Sequence, residues 1–271
     1  MKIVSFNVNG IRARQHQMEA ITRDLQPDIL GLQEVKAENS QYPEADIRPL
    51  GWHSEVHGQK SHYGVALLSK QAPLACQKAY PWDDSEAQRR FIHCSYATAS
   101  GKTLHVINGY FPQGESQDHP LKYPAKRAFY ADLQRYLTEN FTADDWLIVM
   151  GDMNISHTDL DIGIGEANAK RWLKTGKCSF LPEEREWLNT LLQFGLTDSY
   201  RHLHPGSTDK FSWFDYRSKG FEDEPKRGLR IDLILVSNNL VPHIKAADID
   251  YAIRGMDKPS DHAPIWLELD L

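Results

Sequence analysis

A chain of 271 residues that is 41% apolar and 10% aromatic can bury a large core, as one large domain or two small ones. Its net charge of −6 excludes a uniformly basic, polyanion-binding surface but not a local one. No apolar run approaches the roughly 20 residues of a membrane span. The three cysteines, Cys76, Cys94 and Cys178, are scattered and form no Cys-x-x-Cys pair, which fits a reducing compartment better than a disulfide framework or structural zinc.

Met1-Lys2 leads directly into Ile3-Val4-Ser5-Phe6, a strand pattern rather than a signal peptide, so a cytoplasmic protein is expected. Asn7-Val8-Asn9-Gly10 then turns the chain, with two side-chain amides two residues apart. Met18, Ile21 and Leu25 recur at helical spacing over about 14–25, and Pro27-Asp28 ends that segment. Ile29-Leu30-Gly31-Leu32 reads as a buried strand, with Gln33-Glu34 at its end. Further strands are expected at Gly64–Ser69 and at Leu104–Asn108, the second followed by Gly109-Tyr110-Phe111-Pro112-Gln113-Gly114. Tyr110 and Gln113 offer polar tips there, although a Tyr beside Phe and Pro also packs.

Phe129, Leu133, Tyr136 and Leu137 predict a helix over about 123–139 that covers a sheet. Trp146–Met150 reads as a strand buried on both faces, and Gly151-Asp152-Met153-Asn154 follows it. Asp152 and Asn154 are ordinary turn residues, yet a carboxylate and an amide at a strand mouth also suit a hard metal ion and a phosphate oxygen. Residues 155–180 are polar and rich in glycine and read as an irregular segment, whose tail carries Lys170, Arg171, Lys174 and Lys177 without an acid among them. Pro182-Glu183-Glu184 opens a helix that ends at Gly195. Phe211–Tyr216 is an aromatic stretch beside Arg217 and Lys219, either a core strand or a surface that stacks on bases or sugars. Arg230–Val236 sets Asp232 inside an apolar strand, where a carboxylate needs a partner. His262, between Asp261 and the last strand, is the natural partner, because an Asp fixes the imidazole tautomer and stabilises its charged form.

Asn7, Asn9, Glu34, Asp152, Asn154, Asp232, Asp261 and His262 thus all lie in or beside expected strands. No phosphate-binding Gly-x-x-x-x-Gly-Lys loop, His-Glu-x-x-His or Gly-x-Ser-x-Gly competes with them. Ser5–Gly10, Gln33-Glu34, Asn108–Pro112, Gly151–Asn154, Ile231-Asp232 and Ser260-Asp261-His262 resemble the signatures of the endonuclease/exonuclease/phosphatase superfamily. Gly109–Ser116, Arg171-Trp172-Leu173 with Thr175–Phe180, and Phe211–Arg217 are similar to its bacterial exonuclease III branch. The match runs from Met1 to about Leu269, and the charged insert around Glu224-Pro225-Lys226 is the main departure.

The resemblance implies an α/β fold, a four-layer α/β sandwich of two packed mixed β-sheets flanked by helices, formed by residues 1–271 as one domain. It implies a Mg2+-dependent DNA repair phosphodiesterase, with Mn2+ as the alternative ion. Such an enzyme would act as a monomer, away from membranes, on double-stranded DNA with abasic sites or 3′ ends, and would also remove 3′ phosphates. Glu34, with Asp152, Asn154 or Asp261, and Asn7 would hold the ion. Tyr110, Asp152, Asn154, Asp232 and His262 would be catalytic, with either His262 or Asp152 as the base. Asn9, Gln113, Lys170, Arg171 and Arg217 would contact the substrate, and Trp213, Leu229 and Ile231 would form an apolar slot for a base-free sugar. An inositol-phosphate or lipid phosphatase would present a similar metal site; Trp213 and the basic stretches favour DNA.

Overall fold

The computed structural model describes residues 1–271. The first half of the chain runs β1 (Lys2–Asn7), α1 (Gln15–Ala20), β2 (Ile29–Gln33), α2 (Glu44–Ile47), β3 (His53–His57) and β4 (Val65–Ser69). Next come β5 (Ala75–Lys78), β6 (Phe91–Ala97), β7 (Thr103–Tyr110), α3 (Lys122–Asn140) and β8 (Trp146–Asp152). The last part holds α4 (Glu166–Lys174), α5 (Pro182–Gln193), β9 (Leu196–Asp198), α6 (Ser199–Leu203), β10 (Asp232–Ser237), β11 (Ile244–Ile249), α7 (Tyr251–Arg254) and β12 (Ile265–Leu269).

The strands form two six-stranded mixed sheets, in the orders β11-β12-β1-β2-β4-β3 and β5-β6-β7-β8-β10-β9. Each is built around one parallel pair, β1 with β2 and β7 with β8, while the other pairings are antiparallel. A parallel pair needs a crossover, which α1 and α3 supply. Alternation along each strand then sorts the side chains. Ile3, Ile148, Met150, Ile234 and Val236 face inward and fill the space between the sheets. Val4, Phe6, Leu30 and Leu32 face outward onto Met18 and Ile21. Leu147, Val149, Leu233 and Leu235 meet Phe129 and Leu133 of α3 and Leu188 and Leu191 of α5. The expected four layers are present, and the run Leu147–Met150 is buried on both faces.

One buried polar group ties the sheets together near one rim. The Gln33 amide donates to Asn108 Oδ1 at 2.6 Å and to Ser5 Oγ at 3.0 Å. The Asn108 amide donates to the Leu32 and Ala66 carbonyls, both at 2.9 Å, so a strand of the second sheet bonds directly to the backbone of the first. All three side chains are fully buried, and their bonds fix one arrangement although Gln33 Oε1 itself has no partner.

Two expectations need correction, and a third element is present but irregular in form. Residues 155–180 are not irregular throughout, because they contain α4, a helix that buries no residue fully and packs only Ala169 and Trp172 against the body of the protein. Phe211–Tyr216 is not a strand of either sheet: it carries isolated bridges from Trp213 to Leu229 and to His262, with Phe211 and Phe214 buried. The helix expected over 14–25 is α1 followed by a π-turn, Ile21–Leu25, and stops at Gln26 in the left-handed region.

A second buried polar group braces this rim from behind. The Lys126 ammonium donates to Asn154 O at 2.8 Å, Gln113 O at 3.3 Å and Glu184 Oε1 at 2.5 Å. Glu184 Oε2 in turn accepts the Ser179 and Leu181 N–H groups at the start of α5, both at 2.8 Å. Both charges are fully buried. Lys126→Met is expected to destabilise the fold by about 3–5 kcal/mol, because it strands a buried carboxylate and two carbonyls. Urea unfolding measures this, and an unchanged midpoint would mean the pair holds nothing together.

Candidate active site

The two parallel strand pairs end at the same rim, outside the carboxyl ends of their strands, where open α/β sheets gather ligand-binding groups. β1 delivers Asn7 and β2 leads into Glu34. β7 delivers Tyr110 and β8 delivers Asp152, which are register partners. β10 starts at this rim and runs back along β8, so Asp232 lies opposite Asp152. Tyr110, Asp152 and Asp232 therefore form one row across three strands, all on the inward face. The turn before β12 adds Asp261 and His262.

The backbone at these ends is unusual. Glu34 and Asn154 have φ of 50° and 53°, in the left-handed region, and Gly151 has φ of 142°. A Cβ on Gly151 would lie 1.9 Å from the Gly109 carbonyl oxygen, so only glycine lets β7 and β8 approach here. That close approach sits directly beneath Tyr110 and Asp152.

The side chains converge. The Asn7 amide donates to Glu34 Oε1 at 3.0 Å and to Asp152 Oδ2 at 2.9 Å, joining a group from each sheet. Asp152 Oδ1 accepts the Asn154 N–H at 3.1 Å. His262 Nδ1 lies 2.8 Å from Asp232 Oδ2, and its Nε2 lies 3.7 Å from Asp152 Oδ2. Ser212 Oγ accepts the N–H groups of Ile231 and Asp232, both at 3.0 Å, and so fixes the start of β10. The second oxygen of Asp232 is buried without a partner. One oxygen of Glu34, one of Asp152 and a His262 nitrogen all lie within 4.8 Å of one another.

Electrostatics follow from burial and from the crowding of like charges. Burial pushes the Asp152 carboxyl up, and Asp232 and Glu34 add to this, while His262 and the Asn7 amide pull it back. Burial pulls the His262 imidazole down, but Asp232 and Asp152 outweigh it and hold the ring in its charged form. Burial also raises Glu34, but the Lys36 ammonium, 2.8 Å from its Oε2, brings it below its ordinary value. Burial, with Glu34 and Asp152 adding to it, holds the Tyr110 hydroxyl well above its ordinary value, so it is a neutral donor.

A hard divalent ion fits this donor set. Glu34 and Asp152 present carboxylate oxygens within one ion's reach, and the uncompensated Asp232 oxygen adds negative field. Lys36 already places a cation on Glu34, and an ion there would compete with it. Asp261, expected among the ligands, stands outside this cluster. Its Oδ1 accepts from the Asn9 amide at 2.8 Å and its Oδ2 from Trp213 Nε1 at 3.1 Å, so both oxygens are engaged. The Asn154 amide donates to the Phe111 carbonyl at 2.9 Å.

The expected substrate contacts divide by position. Trp213 is half-buried and packs with Trp172 and Ile162 over Phe180, Leu229 and Ile231. Leu229 is 1% exposed and forms the floor of that apolar patch rather than its surface. Behind it, Arg230 is clamped by Asp161 at 2.6 Å and Asp198 at 2.6 Å. Asn9 joins the site through Asp261 and through Lys36, whose Nζ lies 2.5 Å from Asn9 Oδ1. Gln113 is exposed and folds back to accept the Glu115 N–H at 2.7 Å. Lys170 is paired with Glu166 on the open face of α4, and Arg171 and Arg217 are exposed.

Sequence reasoning passed over Lys36, Tyr63, Arg90 and Ser212. Arg90 is sandwiched between the Tyr63 ring at 4.0 Å and the Tyr110 ring at 4.6 Å, and donates to the Tyr110 carbonyl at 3.0 Å. The dipeptide Arg89-Arg90 ahead of Phe91 signals only a basic segment; nothing in it points to Tyr110.

Comparison with known proteins gives the family and the fold. The model of the Endonuclease/Exonuclease/phosphatase family matches residues 4–262. The chain is 57% identical over 268 residues to the exodeoxyribonuclease III of Haemophilus influenzae, covering 99% of each. Among solved structures it resembles a Neisseria 3′ phosphatase, NExo, bound to a product DNA hairpin, with a TM-score of 0.90 and 35% identity over 100% of both chains. An AP endonuclease from Archaeoglobus fulgidus matches with a TM-score of 0.89 and 32% identity, again over 100% of both.

Proposed function

The chain belongs to the endonuclease/exonuclease/phosphatase family, and from that premise we propose that it is a Mg2+-dependent DNA repair phosphodiesterase. It cuts double-stranded DNA 5′ to abasic sites, degrades it from 3′ ends and removes 3′ phosphates. It works as a cytoplasmic monomer, with residues 1–271 acting as one catalytic unit. The observation that carries the reading is the gathering of Glu34, Asp152 and His262 within 4.8 Å at the shared rim of the two sheets.

Glu34 and Asp152 would hold the ion, with the amides of Asn7 and Asn154 beside them. When bound, Mg2+ would offset negative charge on the phosphate and on the departing oxygen. The remaining steps belong to the chain's own side chains. Asp232 engages Nδ1 of His262 and leaves Nε2 facing Asp152. Held in its charged form, His262 donates from Nε2 to a phosphate oxygen. Asp152, whose burial raises its basicity toward neutral pH, takes the proton of the attacking water. Tyr110, a neutral hydroxyl, donates to the phosphate or the leaving oxygen. The patch around Trp213 receives the base-free sugar, which costs little to extrude because little stacking is lost.

The deciding assay is a duplex with a single abasic site, with and without EDTA, alongside an inositol phosphate. Scission 5′ to the abasic site, abolished by EDTA, with the inositol phosphate untouched, is expected. Cleavage that persists in EDTA, or an intact abasic duplex, would overturn the proposal. Binding of that duplex should also weaken as salt rises, with a log–log slope that flattens by about 1 when Arg171 is replaced by Ala. An unchanged slope would remove α4 from the DNA interface.

A further inference from the structure

Far from the rim, β5 and β6 set Cys76 directly opposite Cys94, with the two sulfurs 2.9 Å apart. Continuing the same register, Ala79 N–H donates to Phe91 O, which makes that pair a hydrogen-bonded one. Hydrogen-bonded and non-hydrogen-bonded pairs alternate in an antiparallel ladder, so Cys76 and Cys94 occupy a non-hydrogen-bonded position. There the Cα atoms lie about 4.5 Å apart and the side chains come closest, within the separation a cystine requires. Both thiols point to one face. Cys94 is fully buried, while Cys76 is half-buried on an otherwise exposed edge strand and is the more accessible residue of the two. Cys94 pairs with Val106 on β7, four residues before Tyr110, so the dithiol lies about 13 Å along the strand from the row of site residues.

We propose that Cys76 and Cys94 are a redox modification site, a dithiol that hydroperoxides convert to a cross-strand disulfide. The Cys76 thiolate attacks the peroxide: an S–O bond forms, the O–O bond breaks and, with the thiol proton, one water leaves. Cys94 then attacks the Cys76 sulfur, the S–S bond forms, the S–O bond breaks, and the Cys94 proton departs with the oxygen as a second water. Two thiols lose two electrons and one hydrogen peroxide gains them. A dithiol reductant reverses the change by exchange. The bond closes the loop between residues 76 and 94 and fastens the outermost strand of the second sheet, whose outer edge has no partner strand. Cys178, buried on a different part of the chain against Tyr123 and Leu181, has no such partner.

The test uses the full chain with hydrogen peroxide. Expected results are loss of two of the three titratable thiols, an intact mass lower by about 2 Da, and a Cys76–Cys94 cross-link in non-reduced peptide maps. A melting temperature higher by about 5 °C, reversed by dithiothreitol, should accompany them. Cys178→Ser should keep all of these changes. Cys76→Ser and Cys76→Ala should each abolish the cross-link and the stabilisation, and using both separates a folding defect in one from loss of the reaction. Cys76 and Cys94 remaining free, oxidising separately to sulfinic acids, or cross-linking to Cys178 would each overturn the proposal.

Discussion

Asp152→Asn is expected to lower the rate of abasic-site cleavage by about three orders of magnitude while leaving the protein folded. The change keeps the side chain's shape and removes one charge from a pocket where Glu34, Asp152 and Asp232 crowd together under burial. The proposed base is lost, and so is one of the two carboxylates that would hold the ion. The same substitution relieves like-charge repulsion, so in EDTA the variant should be as stable as the parent, or more stable by about 1 kcal/mol. Active sites often trade stability for function in this way. Single-turnover cleavage and thermal unfolding in EDTA read the two effects separately. Cleavage within tenfold of the parent would remove Asp152 from the chemistry. A large loss of stability would mean that its bonds to Asn7 and Asn154 matter more for the fold than its charge does for the reaction.

The second large effect concerns Asp232 and His262. They are bonded at 2.8 Å, both are nearly fully buried, and the other Asp232 oxygen has no partner. His262→Ala leaves a buried carboxylate with no side-chain partner. Asp232→Ala leaves an imidazole whose tautomer nothing sets and whose charged form only Asp152 and, more weakly, Asp261 support. Each single change should therefore cost about 10^2- to 10^4-fold in rate, and the double change little more than the worse single one. Full additivity in that cycle would show that the two act independently. Stability should behave in the same non-additive way, because the double variant removes the charge that His262→Ala strands.

Much of this was legible in the residues themselves. A run such as Leu147–Met150 has no polar side, so it had to be buried on both faces. The apolar spacing of 123–139 announced α3, and Pro182 announced the start of α5. Asn7, Glu34, Asp152 and Asp232 stood out because polar groups at the ends of apolar strands are costly unless they pair. Elements without an apolar signature stayed hidden. β5 is a largely exposed edge strand, β3 is an edge strand whose only apolar residue is Val56, β9 has three residues, and α4 buries none fully.

What the sequence determined by itself was the inward and outward face of each central strand and the stock of carboxylates, amides and imidazole at their ends, since periodicity and burial are properties of a short segment. What only the tertiary structure decided was which of these groups meet. Asp152 faces Asp232 because β10 pairs with β8 in one register, and Asp261 turns to Asn9 and Trp213 because β12 returns beside β1. Arg90 against Tyr110 and the facing thiols of Cys76 and Cys94 were fixed at the same level, whereas Lys36 reaches Glu34 from only two residues away. Sheet register and loop closure bring groups together across tens or hundreds of residues, and no local pattern carries that information.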